Sequence, residues 1–246
     1  MENLITSREN KVFKDLLRLT QKKYRRELGL CIVEGEKIVM EHAKDAIQIF
    51  VREDKIEEKK NLEVASGKLG GVFMLAEKLW REVSVLENSS GAMAVVKIPK
   101  ANTISFPYLV LDGVQDPGNV GTLLRTAMAF GFKTVFCMGS ADVWSPKVIR
   151  ASSGVQFGMN VIEGAFEKPE GSVLIGADVK GRHIGELQSS IDKAARYGLA
   201  LGSEGRGLSD DVKKLVDENI RIDMDNTVES LNVAVAGGIL MWSLRR

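Results

Sequence analysis

From residue 107 onward, short apolar segments alternate with segments of helical periodicity, and this alternation constrains the fold more than any other feature. The strand candidates are YLVLD, TVFCM, VLIGAD, GLALGS and IRIDM, and the helix candidates are VGTLLRTAMAFG, PKVIRASSG, SDDVKKLVD and ESLNVAVAGGILMWSL. Strands that alternate with helices predict an α/β fold with a mainly parallel sheet covered on both faces. Ligands bind such sheets beyond the carboxyl ends of the strands, so the loops after the strands are candidate sites.

The rest of the chain predicts a second, smaller α/β unit. Strand-like LCIVEG, AIQIFVRE, GVFMLA and GAMAVVKI alternate with helix-like segments such as EKIVMEHAKD and EKLWREVS. The segment KIPKANTISFP separates the two regions, since it has two prolines and no periodicity. We therefore expect a first domain over residues 1–97, a linker over 98–106 and a second domain over 107–246.

Composition narrows the class of protein. A hydrophobic share of 44% and a charged share of 27% are those of a globular domain and exclude a disordered or fibrous chain. The net charge of +1 excludes a uniformly basic protein but not a local basic patch.

Two isolated cysteines form neither a disulfide framework nor a metal-binding pattern, which favours a cytoplasmic location. The apolar stretch 231–244 is too short for an ordinary membrane span and predicts a buried helix. The segment MENLITSRENK is charged and lacks an apolar core, so we expect no secretion signal.

The loop in LDGVQDPGNVGTLLRTA, residues 111–127, is not a phosphate-binding P-loop. Such a loop needs a Lys-Ser/Thr pair after its last glycine, whereas Gly121 is followed by Thr122 and Leu123. On its own the loop fits an ordinary turn in which Asn119 caps the next helix. Arg125 argues for more, because a cation near the positive end of a helix does not stabilise that helix and indicates an anionic partner.

Two more loops carry small polar sets after strands. In LALGSEGRGLSDD, residues 199–211, glycines surround Glu204, and Ser209 or Asp210 caps a helix. In IRIDMDNTVESLNVAVAGG, residues 220–238, Ser230 is a candidate N-cap, and Asn232 lies among apolar neighbours that predict a buried amide. Each loop alone fits a surface turn or a helix cap, but three such loops in one domain indicate a site.

These three segments resemble, in order and spacing, the signature motifs of the SpoU (TrmH-type) RNA ribose 2′-O-methyltransferases of the SPOUT superfamily. SPKVIRASSG, residues 145–154, resembles a further family segment, and CIVEGEKIV with GAMAVV is similar to the L30e-like substrate-binding domain of many members. The resemblance implies a second domain with a deep trefoil knot, an S-adenosylmethionine cofactor and a homodimer with the active site at the subunit interface. Without it, the loops would indicate only a nucleotide-binding α/β protein.

The resemblance also assigns residues. It implies that Arg125 lies at the catalytic centre, where a permanently protonated guanidinium suits a phosphate clamp better than a general base. We expect Asn119 to orient Arg125 or the ribose, Glu204 to position Arg125 or accept a hydrogen bond, and Ser230 and Asn232 to fix the ribose or the loop. The expected cofactor contacts are Leu201, Gly202, Ile222, Met224 and Leu231. No metal is expected, and the two histidines have no assigned role.

A basic segment predicts where RNA binds. Between Lys11 and Arg26 the only acid is Asp15. A solvated helix face is the usual explanation of such a run, but in an RNA enzyme phosphate contact is favoured for Lys22, Lys23, Arg25 and Arg26, with Arg150 as a further candidate. An L30e-like first domain favours ribosomal RNA over transfer RNA. A non-catalytic RNA-binding relative is the alternative outside the enzyme class, and the intact polar set argues against it.

Overall fold

The computed structural model describes residues 3–67, 71–85, 89–101, 103–185, 196–225 and 227–245. The chain forms two compact units. The first contains residues 1–99 together with residues 144–154, and the second contains residues 100–143 and 155–246. Residues 144–154 follow the linker in sequence but group with the first unit.

The first unit is built on a mixed five-stranded sheet. Its strands lie in the order β1-β4-β3-β5-β2, with parallel pairs among β1, β4 and β3 and antiparallel pairs at β5. Its core contains the fully buried Phe13, Leu16 and Phe50 and the nearly buried Trp80. The bounds are β1 Leu4–Ile5, α1 Lys11–Arg18, α2 Lys22–Leu28, β2 Leu30–Glu34, α3 Glu36–His42, β3 Gln48–Arg52, α4 Ile56–Ser66, β4 Val72–Leu75, α5 Glu77–Val83 and β5 Ala92–Lys97, with α7 Pro146–Ser152 added from the later segment.

The second unit contains the parallel sheet that the sequence predicts. Its six strands lie in the order β11-β9-β10-β6-β7-β8, and every neighbouring pair is parallel. The short strand β8 was not among the strands expected from the sequence. The bounds are β6 Tyr108–Asp112, α6 Pro117–Ala129, β7 Thr134–Met138, a 3₁₀ turn Val155–Gly158, β8 Asn160–Glu163, β9 Val173–His183, β10 Tyr197–Gly202, α8 Asp210–Lys213, β11 Glu218–Arg221 and α9 Val233–Leu244.

A glycine in α9 brings that helix against α6 and β10. A Cβ atom on Gly237 would lie 2.4 Å from Cδ2 of Leu123 in α6 and 2.7 Å from Cδ1 of Leu201 in β10. A side chain at this position would therefore push the three elements apart. The close packing brings the start of α9 near the start of α6, and this positions the site described below.

Helix α9 is only partly buried, in contrast to the buried helix expected from its composition. Val233, Leu240 and Met241 pack inside, but Val235, Ile239 and Trp242 are 53%, 37% and 56% exposed. These three residues are spaced four and three apart and therefore form one apolar stripe along the helix. In the described part of the chain, no helix is long and apolar enough to cross a membrane.

Candidate active site

Helix α6 is capped by Asp116 and not by Asn119. Oδ1 of Asp116 accepts a hydrogen bond from the Asn119 backbone N–H at 2.8 Å, and Pro117 occupies the first turn. The alternative in which Asn119 caps the helix is therefore wrong. Because Asp116 satisfies the helix end, the Asn119 side chain is available for other contacts.

Helix α9 is capped by Asn232 and not by Ser230. Oδ1 of Asn232 accepts from the backbone N–H groups of Ala234 at 2.9 Å and Val235 at 3.3 Å. Asn232 is also exposed, so the buried amide expected from its apolar neighbours is wrong. The remaining cap prediction is confirmed, since Ser209 caps α8 through a bond from the Val212 N–H.

The three loops meet in a closed triangle of side chains formed by Asn119, Glu204 and Asn232. Nδ2 of Asn119 donates to Oε1 of Glu204 at 2.9 Å, and Nδ2 of Asn232 donates to the same oxygen at 2.9 Å. Nδ2 of Asn232 also donates to Oδ1 of Asn119 at 3.0 Å. Asn119 and Glu204 are 85 positions apart in sequence, and Asn119 and Asn232 are 113 positions apart, yet their side chains are joined directly.

The orientation of both amides in this triangle follows from the backbone. Oδ1 of Asn232 must face the N–H groups that it caps, so Nδ2 must face Asn119 and Glu204. Asn119 then has to accept through Oδ1 and donate through Nδ2. Glu204 receives two donors on Oε1, and among the described residues its Oε2 makes no hydrogen bond.

Arg125 is exposed on α6 and lies outside the triangle. It is six residues beyond Asn119, which is about 9 Å along the helix axis and about a third of a turn around it. Within the described ranges its guanidinium has no hydrogen bond or ion pair. Neither Glu204 nor Asn119 makes a hydrogen bond to Arg125 in the triangle, so the expected contacts that would position Arg125 are not among its bonds.

The loop that carries Glu204 is held at its base as well as at its tip. Ser203 and Gly207 exchange backbone hydrogen bonds of 3.1 and 2.9 Å, and a Cβ on Gly202 would lie 2.1 Å from the Gly207 carbonyl carbon. The buried carboxylate of Asp112, 7% exposed, accepts the Ser209 N–H at 2.6 Å. Asp112 was not among the expected site residues, and the signal for it was an acid at the end of an otherwise apolar strand.

A cavity of about 440 Å³ lies beside the triangle and is lined by the same loops. This volume is typical of a site for a small organic ligand. All five residues expected to contact the cofactor lie on its wall, as do Glu204 and Ser230; they are Leu201, Gly202, Ile222, Met224 and Leu231. The wall also includes Ala177, Asp178 and Val179, which no sequence motif indicated. In the described part of the chain, no group of three or more His, Cys, Asp or Glu could hold a metal ion.

The basic residues of α2 fall into two groups. Lys22, Lys23 and Arg26 are exposed, and the Lys23 ammonium lies 5.8 Å from the Tyr24 ring centroid. Arg25 is buried, with 4% of its surface exposed, and its Nη1 donates to the Leu19 carbonyl at 2.7 Å. Arg25 therefore ties α2 to the end of α1, and we remove it from the residues expected to contact RNA.

Arg150 lies on the exposed face of α7. It borders a second cavity, of about 350 Å³, in the first unit, together with Glu34, Lys37 and Ser90. Among the described residues neither Arg150 nor Lys37 has an ion-pair partner. Both cations are therefore available to an anionic ligand.

A parallel sheet whose strand-end loops converge on a cavity defines a ligand-binding α/β protein. Comparison with known proteins gives the family. The sequence model of the SpoU rRNA Methylase family matches residues 107–242, and that of the MRM3-like substrate binding domain matches residues 10–94. The chain belongs to the SpoU rRNA methylase family.

Three similar proteins cover nearly the whole chain. The 23S rRNA (guanosine(2553)-2′-O)-methyltransferase RlmP of Bacillus subtilis is 30% identical over 98% of this chain and 98% of its own length. The structure of a putative RNA methyltransferase of the TrmH family from Porphyromonas gingivalis is 30% identical, with a TM-score of 0.75 over 97% of this chain and 99% of that one. An AdoMet-bound rRNA methyltransferase from Sinorhizobium meliloti is 25% identical, with a TM-score of 0.80 over 98% and 96%.

Proposed function

We propose that this protein transfers a methyl group from S-adenosylmethionine to a ribose 2′-hydroxyl of ribosomal RNA. The observation that carries the proposal is the junction of three distant loops in the Asn119–Glu204–Asn232 triangle beside the 440 Å³ cavity. The family match over residues 107–242 supports the same reaction class.

The cavity suits S-adenosylmethionine in size and chemistry. Apolar side chains such as Leu201, Ile222 and Leu231 offer surfaces for the adenine faces, and backbone groups of the same loops can read its edge. When bound, S-adenosylmethionine supplies a methyl group that its positively charged sulfur has already activated for transfer. The reaction then needs no metal.

The chain's own residues position the RNA and remove a proton. Arg125, which lacks a partner among the described residues, grips the phosphate beside the target ribose through two parallel N–H donors. Ser230, exposed on the cavity wall, holds the ribose. Oε2 of Glu204 accepts a hydrogen bond from the 2′-hydroxyl and takes its proton, while Asn119 and Asn232 fix the carboxylate through Oε1.

The first unit supplies RNA affinity. Residues 10–94 match a substrate binding domain, and the relative in Bacillus subtilis is named as a 23S rRNA enzyme. Lys22, Lys23 and Arg26 are exposed, and their positive charge suits the phosphate backbone, with Arg150 as a further contact. A cytoplasmic site of action is part of the proposal and is supported by the ribosomal RNA named as substrate of the relative in Bacillus subtilis.

Reversing the charge of Lys22, Lys23 and Arg26 tests whether helix α2 contacts RNA. The triple variant Lys22→Glu, Lys23→Glu, Arg26→Glu is expected to bind rRNA fragments at least tenfold more weakly at low salt, with a shallower dependence of affinity on salt. A variant with Lys60→Glu and Lys214→Glu, at two exposed cations elsewhere on the surface, serves as the control. Equal affinity and equal salt slopes for the triple variant and the wild type would remove α2 from the RNA interface.

We include in the proposal a homodimer and a trefoil knot in the second unit. The exposed stripe of Val235, Ile239 and Trp242 on α9 supports the dimer, because such a surface is stabilised when a second copy covers it. The stripe begins three residues after Asn232, so a partner docked there would border the site. Knotting is supported by the family match alone. The molar mass in solution by light scattering tests the dimer.

Two measurements test the activity. Isothermal titration should detect binding of S-adenosylmethionine and S-adenosylhomocysteine to the isolated protein. Mapping of 2′-O-methyl groups in ribosomal RNA, from cells with and without the gene, should reveal a position that depends on the gene. Absence of cofactor binding, or identical maps from the two strains, would contradict the proposal.

A further inference from the structure

Strand β9 departs from regular pairing next to the cavity. Ile175 and Gly176 of β9 pair with Glu218 and Asn219 of β11, but the next residue of β11, Ile220, pairs with Arg182. Residues 177–181 of β9 therefore fall in a gap in the register and form a bulge.

Close contacts hold the two ends of this bulge in place. A Cβ on Gly181 would lie 2.5 Å from the Ile220 backbone nitrogen, so the chain returns directly against β11. Nη1 of Arg221 donates to the Gly181 carbonyl at 2.9 Å, and Nε of Arg221 donates to Oδ1 of Asp223 at 3.0 Å. At the other end, a Cβ on Gly176 would lie 2.8 Å from Oδ1 of Asn219. The two ends of the bulge are thus held against β11.

The bulge carries one carboxylate onto that wall. Ala177, Asp178 and Val179 all line the 440 Å³ cavity. Oδ1 of Asp178 accepts the Lys180 N–H at 2.8 Å, which orients the side chain. Among the described residues its Oδ2 makes no hydrogen bond. The wall therefore presents an oriented acceptor that no motif residue supplies.

We propose that Asp178 contacts the cofactor, its Oδ2 accepting a hydrogen bond from a donor group of S-adenosylmethionine. This inference rests on the proposed function. With the adenine edge read by backbone groups, the donors that remain are the ribose hydroxyls and the ammonium group of the methionine moiety. A carboxylate suits both, and the bonds at Gly181 and Lys180 hold it in place before the ligand arrives.

An isosteric substitution isolates the acceptor. Asp178→Asn keeps Oδ1 for the Lys180 N–H but replaces Oδ2 with an NH₂ group, which cannot accept. The affinity for S-adenosylhomocysteine, measured by titration calorimetry, is expected to fall about tenfold or more. The control is Asp225→Asn, because Oδ1 of Asp225 likewise accepts the N–H two residues on, from Thr227 at 2.9 Å, together with the Thr227 hydroxyl at 2.7 Å, and Asp225 does not line the cavity. The control should bind like the wild type.

A second ligand and a second variant complete the test. 5′-Methylthioadenosine keeps the ribose and lacks the ammonium group. If Asp178→Asn weakens both ligands equally, the donor is a ribose hydroxyl; if it weakens only S-adenosylhomocysteine, the donor is the ammonium. Asp178→Ser, whose hydroxyl can still accept from Lys180, replaces the first variant should that one not fold. Wild-type affinity in the folded variant overturns the inference, whereas a wild-type protein that binds neither ligand contradicts the proposed function itself.

Discussion

Arg125→Ala is expected to lower kcat/KM for RNA methylation by about 10²- to 10³-fold. The reason is that Arg125 has no partner among the described residues and lies outside the triangle of Asn119, Glu204 and Asn232 and outside the lining of the cavity. Its loss removes the grip on RNA that aligns the ribose, and leaves the cofactor wall untouched. Titration of S-adenosylhomocysteine into the variant should therefore give the wild-type affinity.

Two further variants sharpen this result. Arg125→Lys keeps the charge but loses the planar pair of donors, so a phosphate clamp predicts that it recovers little of the activity. Arg182→Ala removes an arginine that pairs with Glu218 on the surface of the same unit, and it should methylate RNA like the wild type. Full activity of Arg125→Ala with unchanged cofactor binding would remove Arg125 from the site.

The caps show what the sequence could and could not predict about local structure. The glycine and polar loops were expected after the strands, and the structure has them there. Which polar residue caps each helix depends on the residue at which the helix begins, and the sequence pattern fixes this only to within a few positions. Asp116 starts α6 three residues before Asn119, and Asn232 starts α9 two residues after Ser230. The sequence therefore located the loops correctly, and the errors concern only which side chain of each loop caps the following helix.

Other features depend on pairing between distant segments and have no local signal. The bond from Ser209 to Asp112 joins a helix cap to the end of a strand 97 positions earlier, and the bulge at residues 177–181 follows from the register of β9 against β11. Arg25 illustrates the same limit for charge. Its neighbours Lys22, Lys23 and Arg26 are exposed as the basic run predicts, but Arg25 falls on the inner side of a short helix and donates to Leu19. Charge in a sequence indicates attraction to phosphate only where the fold leaves it exposed.

The prediction that most directly separates chemistry from structure concerns Glu204. Glu204→Gln preserves Oε1 as the acceptor for the amides of Asn119 and Asn232, and replaces only Oε2. If Oε2 takes the proton of the 2′-hydroxyl, kcat should fall by about 10²- to 10⁴-fold. The melting temperature and the affinity for S-adenosylhomocysteine should stay at wild-type values, because the triangle is kept.

Glu204→Ala and a surface control complete the comparison. The alanine variant loses both the proton acceptor and the anchor of the triangle, so it should be at least as inactive as Glu204→Gln and should also bind the cofactor less well, since the loop at Ser203–Gly207 lines the cavity. Glu218→Gln, which breaks only the surface ion pair with Arg182, should leave kcat unchanged. If Glu204→Gln retains most of the wild-type kcat while Glu204→Ala loses it, then Glu204 serves only to hold the two amides, and the proton must leave by another group.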